Sequence, residues 1–313
     1  MNLRRLLRAA DARVLPPVPS ARPATLRILN GAYTAFYLGR RLRMLRAIHR
    51  TDPTLFEPVG PARVLSRPLP PVVADGLAFT SVAASIVFTL GLRHQVSGPL
   101  HAALLLWTLS YRNSWSMVFH NDNNLVLHTA VLGCSRSADA LSLDSLRAGG
   151  PAGDDWRYAT PSRTIQAVTA ATYALSGVAK VKGPLGWSWA SGESLRSQIA
   201  ADGLRKELLG SHAAPLGTRL YGRTGLFRLF ATGSLVLELA APLALLDRRL
   251  ARIWAGPAFG MHWGIRLIMG IHFRHQMAGV AFAPYFPAEG LVQGAAAAWH
   301  GQRPGSRRTG VRA

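Results

Sequence analysis

The stretch Gly76-Leu-Ala-Phe-Thr-Ser-Val-Ala-Ala-Ser-Ile-Val-Phe-Thr-Leu-Gly-Leu92 runs for seventeen residues without a charge until Arg93 closes it. With residues 72–75 ahead of it, a helix of this length crosses a hydrocarbon core of about 30 Å. Similar stretches follow. Residues 99–110 continue past Tyr111 and Arg112 to Phe119, and residues 125–133 follow the polar cluster His120, Asn121, Asp122, Asn123 and Asn124. Residues 164–181 are uncharged until Lys180 and rich in the small side chains that let helices approach closely in a bilayer. Residues 226–246, 253–273 and 277–286 complete the series. The pattern predicts an all-α protein, a polytopic transmembrane helical bundle of about six spans plus interfacial helices. A soluble all-helical protein is the alternative, disfavoured because so many stretches lack a polar face.

Charge is uneven along the chain. There are 36 Lys and Arg against 15 Asp and Glu, a formal charge of +21, yet 49% of residues are hydrophobic and the mean hydropathy is +0.15. That is too apolar for a nucleic-acid binder. The lone cysteine, Cys134, excludes disulfide scaffolds and Cys-based zinc or iron-sulfur sites. Residues 1–67 hold thirteen Arg against Asp11, Asp52 and Glu57. Within them, Leu26, Ile28, Leu29, Ala32, Phe36 and Leu38 recur at helical spacing and run into Arg40, Arg41, Arg43 and Arg46. This predicts an amphipathic helix in the membrane interface, or else a soluble surface helix. The opening residues lack the apolar core of a signal peptide, so no cleaved leader is expected. Residues 301–313 read as a basic, disordered tail. The chain thus divides into a basic segment (1–67), a transmembrane domain (68–300) and the tail. Both basic ends point to the cytoplasm by the positive-inside rule, which requires an even number of crossings.

Charged groups at membrane depth need partners or a polar cavity. Glu238 has nine uncharged residues before it and eight after. It reads either as a proton-handling carboxylate or as the partner of Arg266 in a structural pair. His262 and Arg266, four residues apart, share a helix face and could line the same cavity. His128 reads as a satisfied core histidine, His272 and His275 as interfacial ones, and no His and carboxylate spacing predicts a zinc site. Only three cations are lysines, Lys180, Lys182 and Lys206. A partly buried lysine can give up its proton where arginine cannot, so Lys180 and Lys182 read either as chemistry or as snorkelling cations.

The string Tyr173-Ala-Leu-Ser-Gly-Val-Ala-Lys180, followed by Gly186-Trp-Ser-Trp189-Ala-Ser-Gly-Glu193-Ser-Leu195, resembles the HTTM (horizontally transferred transmembrane) domain. That domain is shared with vitamin K-dependent gamma-carboxylases. Residues 121–144, closing in Ser137-Ala-Asp139-Ala-Leu-Ser142-Leu-Asp144, are similar to a second family segment. The Glu238 stretch with Met261-His262 and Met269-Gly270-Ile-His-Phe273 is similar to a third. The resemblance covers roughly residues 70–290. It implies a bundle that binds a reduced, vitamin K-like quinone and deprotonates it with a lysine, which falls on Lys180. A carboxylase histidine falls on Asp122, with His120 two residues away. Asp122 is thus a second catalytic candidate, and His120, Glu238, His262 and Arg266 are candidates to line the cofactor cavity. The carboxylases continue into a large extramembrane domain, so carboxylation of protein glutamate by this chain alone is not expected. Two functions are expected from this reading: a redox or proton-abstracting module in a bacterial plasma membrane, or a non-catalytic scaffold or maturation partner for a secreted peptide or neighbouring enzyme. The lipid bilayer is the expected partner in both, and nucleic acid in neither.

Overall fold

The last turn of the first long helix already departs from a simple amphipathic pattern. In the computed structural model, which describes residues 15–290, α1 (Ala21–Gly39) stops at Arg40 and Arg41, and α2 (Leu42–Ile48) resumes as a separate short helix. Neither the start of the chain nor the predicted tail falls within the described residues. These form an all-helical structure, apart from one antiparallel bridge between Val18 and Asp155. The remaining α-helices are α3 (Pro71–Leu90), α4 (His94–Asn113), α5 (Asn123–Gly133), α6 (Leu143–Arg147), α7 (Ala159–Lys182), α8 (Glu193–Leu208), α9 (Pro215–Leu220), α10 (Thr224–Leu239), α11 (Arg248–Met269) and α12 (Arg274–Met277).

The interfacial reading of residues 26–45 is corrected by packing. α1 is covered by α3, α5 and α7, and its buried face includes Arg27, Asn30, Gly31 and Thr34. Most of the polar atoms on this interior face find partners, while Arg27 Nε and Asn30 Oδ1 have none among the described residues. Arg27 is wholly buried, and its guanidinium donates to the carbonyls of Ser137 (2.9 Å) and Leu141 (2.6 Å) in the loop after α5. Asn30 donates to Thr129 on α5 (2.7 Å). The same loop returns a cap: Asp144 accepts the backbone N–H groups of Arg93 and His94, both at 2.8 Å, at the start of α4. Burial works against that charge, but the two backbone donors together with the nearby Arg147 and His94 charges hold the Asp144 carboxyl below its ordinary range. Ser142 closes a capping box with Ser145 on α6.

Small residues set how closely the helices approach. α3 buries Ala74, Ala78, Ser81, Ala84 and Ser85 at helical spacing, and ends where Gly91 takes a left-handed φ of 61°. Gly98 on α4 and Gly133 on α5 bring the two backbones into direct contact. Farther on, α7, α10 and α11 enclose an alanine-rich core around Tyr173, Trp254, Phe282 and Tyr285.

Two expected spans are interrupted. The stretch 226–246 is helical only to Leu239 and continues as a 3-10 turn, Ala241–Leu245, because Pro242 has no N–H to extend the α ladder. The stretch 277–286 is not a helix of membrane length. After α12, Gly279 (φ 76°) turns the chain into a 3-10 segment, Val280–Tyr285, which packs against α7, α1 and α11.

The described ends meet at one end of the bundle. Val18 bridges Asp155, Ser20 donates to the Ala152 carbonyl (2.6 Å), and Arg22 pairs with Glu289 (2.6 Å). At the other end Asp75 is held by Arg46 (3.3 Å), His49 (2.8 Å) and Arg50 (2.8 Å). Arg50, grouped with the N-terminal basic residues by sequence, therefore lies across the bundle from Arg22. Because a methyl on Gly98 or Gly133 would overlap the facing backbone, Gly98→Ala and Gly133→Ala should each cost about 1–3 kcal/mol in thermal unfolding. Gly256→Ala, with open space at its Cβ position, should instead be neutral or stabilise by up to about 1 kcal/mol.

Candidate functional site

On α7, Tyr173, Ser176, Gly177 and Lys180 are spaced by three or four residues and so lie along one face. That face meets α10. Gly177 has no side chain, and the position its methyl would take is 3.0 Å from the Cβ of Glu238. Helical side chains lean toward the N-terminus, so the long Lys180 stem reaches back along α7 to the same carboxylate. Lys180 Nζ and Glu238 Oε1 form a salt bridge, and Ser176 Oγ donates to the same oxygen at 3.4 Å. Glu238 stands one residue before the C-terminus of α10, where the helix dipole disfavours an anion; the Lys180 cation offsets this. Its second oxygen, Oε2, is buried without a hydrogen-bond partner among the described residues.

Above the pair lies an aromatic lid. Lys180 Nζ is 4.5 Å from the centroid of the Trp189 ring, within cation–π range. Trp189 rides on the 3-10 turn Gly186–Ser191, which two contacts fix to α10. Thr232 donates to the Ala190 carbonyl (3.1 Å), and Gly192, at φ 85°, lets the turn's backbone sit against Phe227 where a Cβ would collide. Toward the other end of α7, Tyr173 OH shares a hydrogen bond with His262 Nε2 on α11, while His262 Nδ1 has no partner among the described residues. Trp254 packs edge-on against Tyr173 (5.0 Å) and Phe273 lies 4.8 Å from His262.

The structure thus brings Lys180, Glu238 and His262 to one face of α7. Arg266 is not Glu238's partner and enters no ion pair among the described residues. Asp122 belongs to another cluster. Its carboxylate pairs with Arg112 (3.0 Å), both side chains buried, and both its oxygens lie 2.8 Å from the Tyr37 hydroxyl. Arg112 also donates to Asn113 (2.8 Å) and covers the Phe119 ring, and Arg41 lies 3.7 Å over Tyr37. This cluster ties α1 to α4 and α5. His120 begins the adjoining 3-10 turn, His120–Asp122.

From Asp122 an aromatic ladder runs inward. Tyr33 stacks on Tyr37 (5.6 Å) and packs on His275 (5.2 Å), and His275 packs edge-on to His128 (5.2 Å). His128 is a satisfied core histidine, bonded to Thr169 at 2.9 Å. His275, expected at an interface, is instead 1% exposed in the core. Sequence reasoning missed Trp189 as the cover of Lys180 and Tyr173 as the partner of His262. Their shared helical register with Lys180, and the aromatic content of the turn that follows, were the available signals. No protein-family model, curated protein or solved structure matches the chain.

Because Lys180 and Glu238 are paired, a double-mutant cycle with Lys180→Met and Glu238→Gln should show a coupling of about 1–3 kcal/mol in thermal unfolding. The cycle of Glu238→Gln with Arg266→Met should be additive within about 0.5 kcal/mol.

Proposed function

We propose that this chain is a multi-pass membrane protein of the HTTM type, in a bacterial plasma membrane, whose Lys180–Glu238 pair takes a proton from a quinone-like, lipid-soluble ligand. The membrane part of the reading is supported by an inverted distribution of polarity. Arg27, His101, Arg112, Asp122, His128, Glu238, His262 and His275 are buried, while Phe79, Ile86, Leu100, Leu175, Val236 and Ile253 are exposed on the long helices. In water, so much exposed apolar area would be unfavourable by about 25 cal/mol per Å²; against lipid it is not. One helix, Pro71–Leu90, is long and apolar enough to cross a membrane on length and composition alone. The other passes hold inward-facing charges, or are interrupted as in 226–246 and 274–290, features that a bilayer tolerates where neighbouring helices satisfy them.

The observation that carries the chemical reading is the unpartnered Glu238 Oε2 beside Lys180, under the Trp189 ring. A flat, lipid-soluble ring with oxygen substituents fits that donor set: Trp189 offers a stacking face, and Ser176 and Lys180 offer hydrogen-bond donors. Such a ligand supplies an acidic hydroxyl and stored reducing electrons. The chain supplies the base. In this reading Lys180 Nζ passes a proton to Glu238 Oε1, and the amine so formed takes the proton of the ligand's hydroxyl. Tyr173 and His262, lower on the same face, hold a second proton at their shared hydrogen bond.

The alternative, a non-catalytic scaffold or maturation partner, draws on the Asp122 cluster, where both carboxylate oxygens and the guanidinium already have partners. One experiment separates the two. Lys180→Arg keeps charge and reach but cannot release a proton. In complementation of a deletion strain, at equal membrane abundance, it should lower activity by about 100-fold or more, and Lys182→Arg should be tolerated. Full complementation by Lys180→Arg would favour the scaffold.

The same reading fixes a topology. Reporter fusions at Gly150 and Gly290 should report one side of the membrane, and fusions at Arg50 and Ser211 the other. Agreement between Arg50 and Gly290 would remove α1 from the crossings.

A further inference from the structure

At the end of the bundle where α1, α7 and α11 begin, a cleft of about 50 Å³ opens between them. By helical rise it lies about 25 Å down α7 from Lys180, so it is separate from the pair described above. Four arginines line it: Arg22 from α1, Arg163 from α7, and Arg248 and Arg252, one turn apart, from α11. Like charges gathered in this way repel, and those of Arg22 and Arg248 both act on Arg163. Among the described residues, the acids at hand offset only part of this. Glu289 is taken by Arg22 through two hydrogen bonds, of 3.0 and 2.6 Å. Asp247 acts on Arg163 but is turned to cap α11 through the Arg249 N–H at 2.6 Å. Arg248 and Arg252 are exposed and join no ion pair among the described residues.

A second, independent feature points into the cleft. Ser162 lines it, is only 4% exposed, and its Oγ has no hydrogen-bond partner among the described residues. A buried hydroxyl left unpaired is costly unless something completes it. The three helices begin here as well, and their N-terminal N–H groups add positive potential of the kind that anions occupy.

We propose that this cleft binds a phosphate-bearing anion, with the arginines supplying charge and Ser162 Oγ donating a hydrogen bond to a phosphate oxygen. A group attached to the phosphate would extend outward past the exposed Arg248 and Arg252. Guanidinium groups bind phosphate oxygens in pairs, and a phosphate has a further oxygen left for Ser162 Oγ where a carboxylate has only two. The group could belong to free phosphate or to a phospholipid headgroup; only the lipid source rests on the membrane reading above.

The test is thermal unfolding of the full chain with two probes. One is inorganic phosphate, added at constant ionic strength to protein in neutral detergent. The other is phosphatidylglycerol, compared with phosphatidylcholine alone in nanodiscs. At least one probe should raise the midpoint by about 3 °C or more. Arg248→Gln/Arg252→Gln should abolish the shift, Ser162→Ala should weaken phosphate affinity about tenfold, and Arg249→Gln, whose side chain does not line the cleft, should leave it intact. A shift with phosphatidylglycerol alone assigns the site to a lipid headgroup, and one with phosphate identifies a free anion. If the protein proves soluble without detergent and phosphate still shifts it, the membrane reading fails and the site stands. No shift with either probe, or a shift that survives Arg248→Gln/Arg252→Gln, overturns the proposal.

Discussion

A guanidinium that has left water must find hydrogen bonds inside the protein, and Arg27 does so through its two terminal nitrogens, its Nε having no partner among the described residues, and thereby fixes three parts of the chain at once. Its donors hold the carbonyls of Ser137 and Leu141, and Gly91 must lack a side chain because Arg27 occupies the space beside it. The loop that Arg27 holds carries Asp144, which caps α4, and Asp139, which accepts the Tyr158 hydroxyl (2.7 Å) just before α7. The end of α3, the start of α4, the exit of α5 and the entry to α7 are all placed by reference to one side chain. Leaving such a charge unpaired costs about 3–5 kcal/mol, a large part of what a domain has to spare.

The two buried acid–base pairs differ in a way that bears on their roles. At Asp122 every strong donor and acceptor is matched, and the cluster is enclosed by α1, α4 and α5. At Glu238 one oxygen remains unmatched, the cation is partly exposed, and the cover is a turn rather than a helix. A closed network fixes geometry. An open one leaves an oxygen able to accept a further hydrogen bond, and Glu238 carries it in the last turn of α10, just before the break after Leu239.

Much of the helical framework was legible in the sequence because local rules decide it. The uncharged run before Arg93 and the small-residue stretch of α7 each specify local backbone without reference to the rest of the chain. Partners were not legible. Spacing relates residues within a helix, so His262 and Arg266 could be put on one face, but the choice between Arg266 and Lys180 as partner of Glu238 depends on how α7 and α11 sit against α10. The lean of a lysine side chain toward its own N-terminus decides it. α1 was misread for a related reason: Arg27, Asn30 and Thr34 make its buried face look polar, which is the opposite of what an interfacial helix buries. The stretch 277–286 failed because apolar composition does not reveal that Gly279 takes a left-handed conformation.

The irregular return after α11 has a consequence for how the protein is made. Gln166, in the middle of α7, donates to the Pro284 carbonyl (2.6 Å), and its own carbonyl accepts the Tyr285 hydroxyl (2.9 Å). His275 from the same return fills the space beside His128 and Tyr33. These contacts are supplied by almost the last part of the described chain to leave the ribosome, so α1 to α11 must wait, with polar groups of α7 unpaired, until the return docks. Until residues 274–290 have been made, the nascent chain therefore carries an open polar seam along α7 that those residues close.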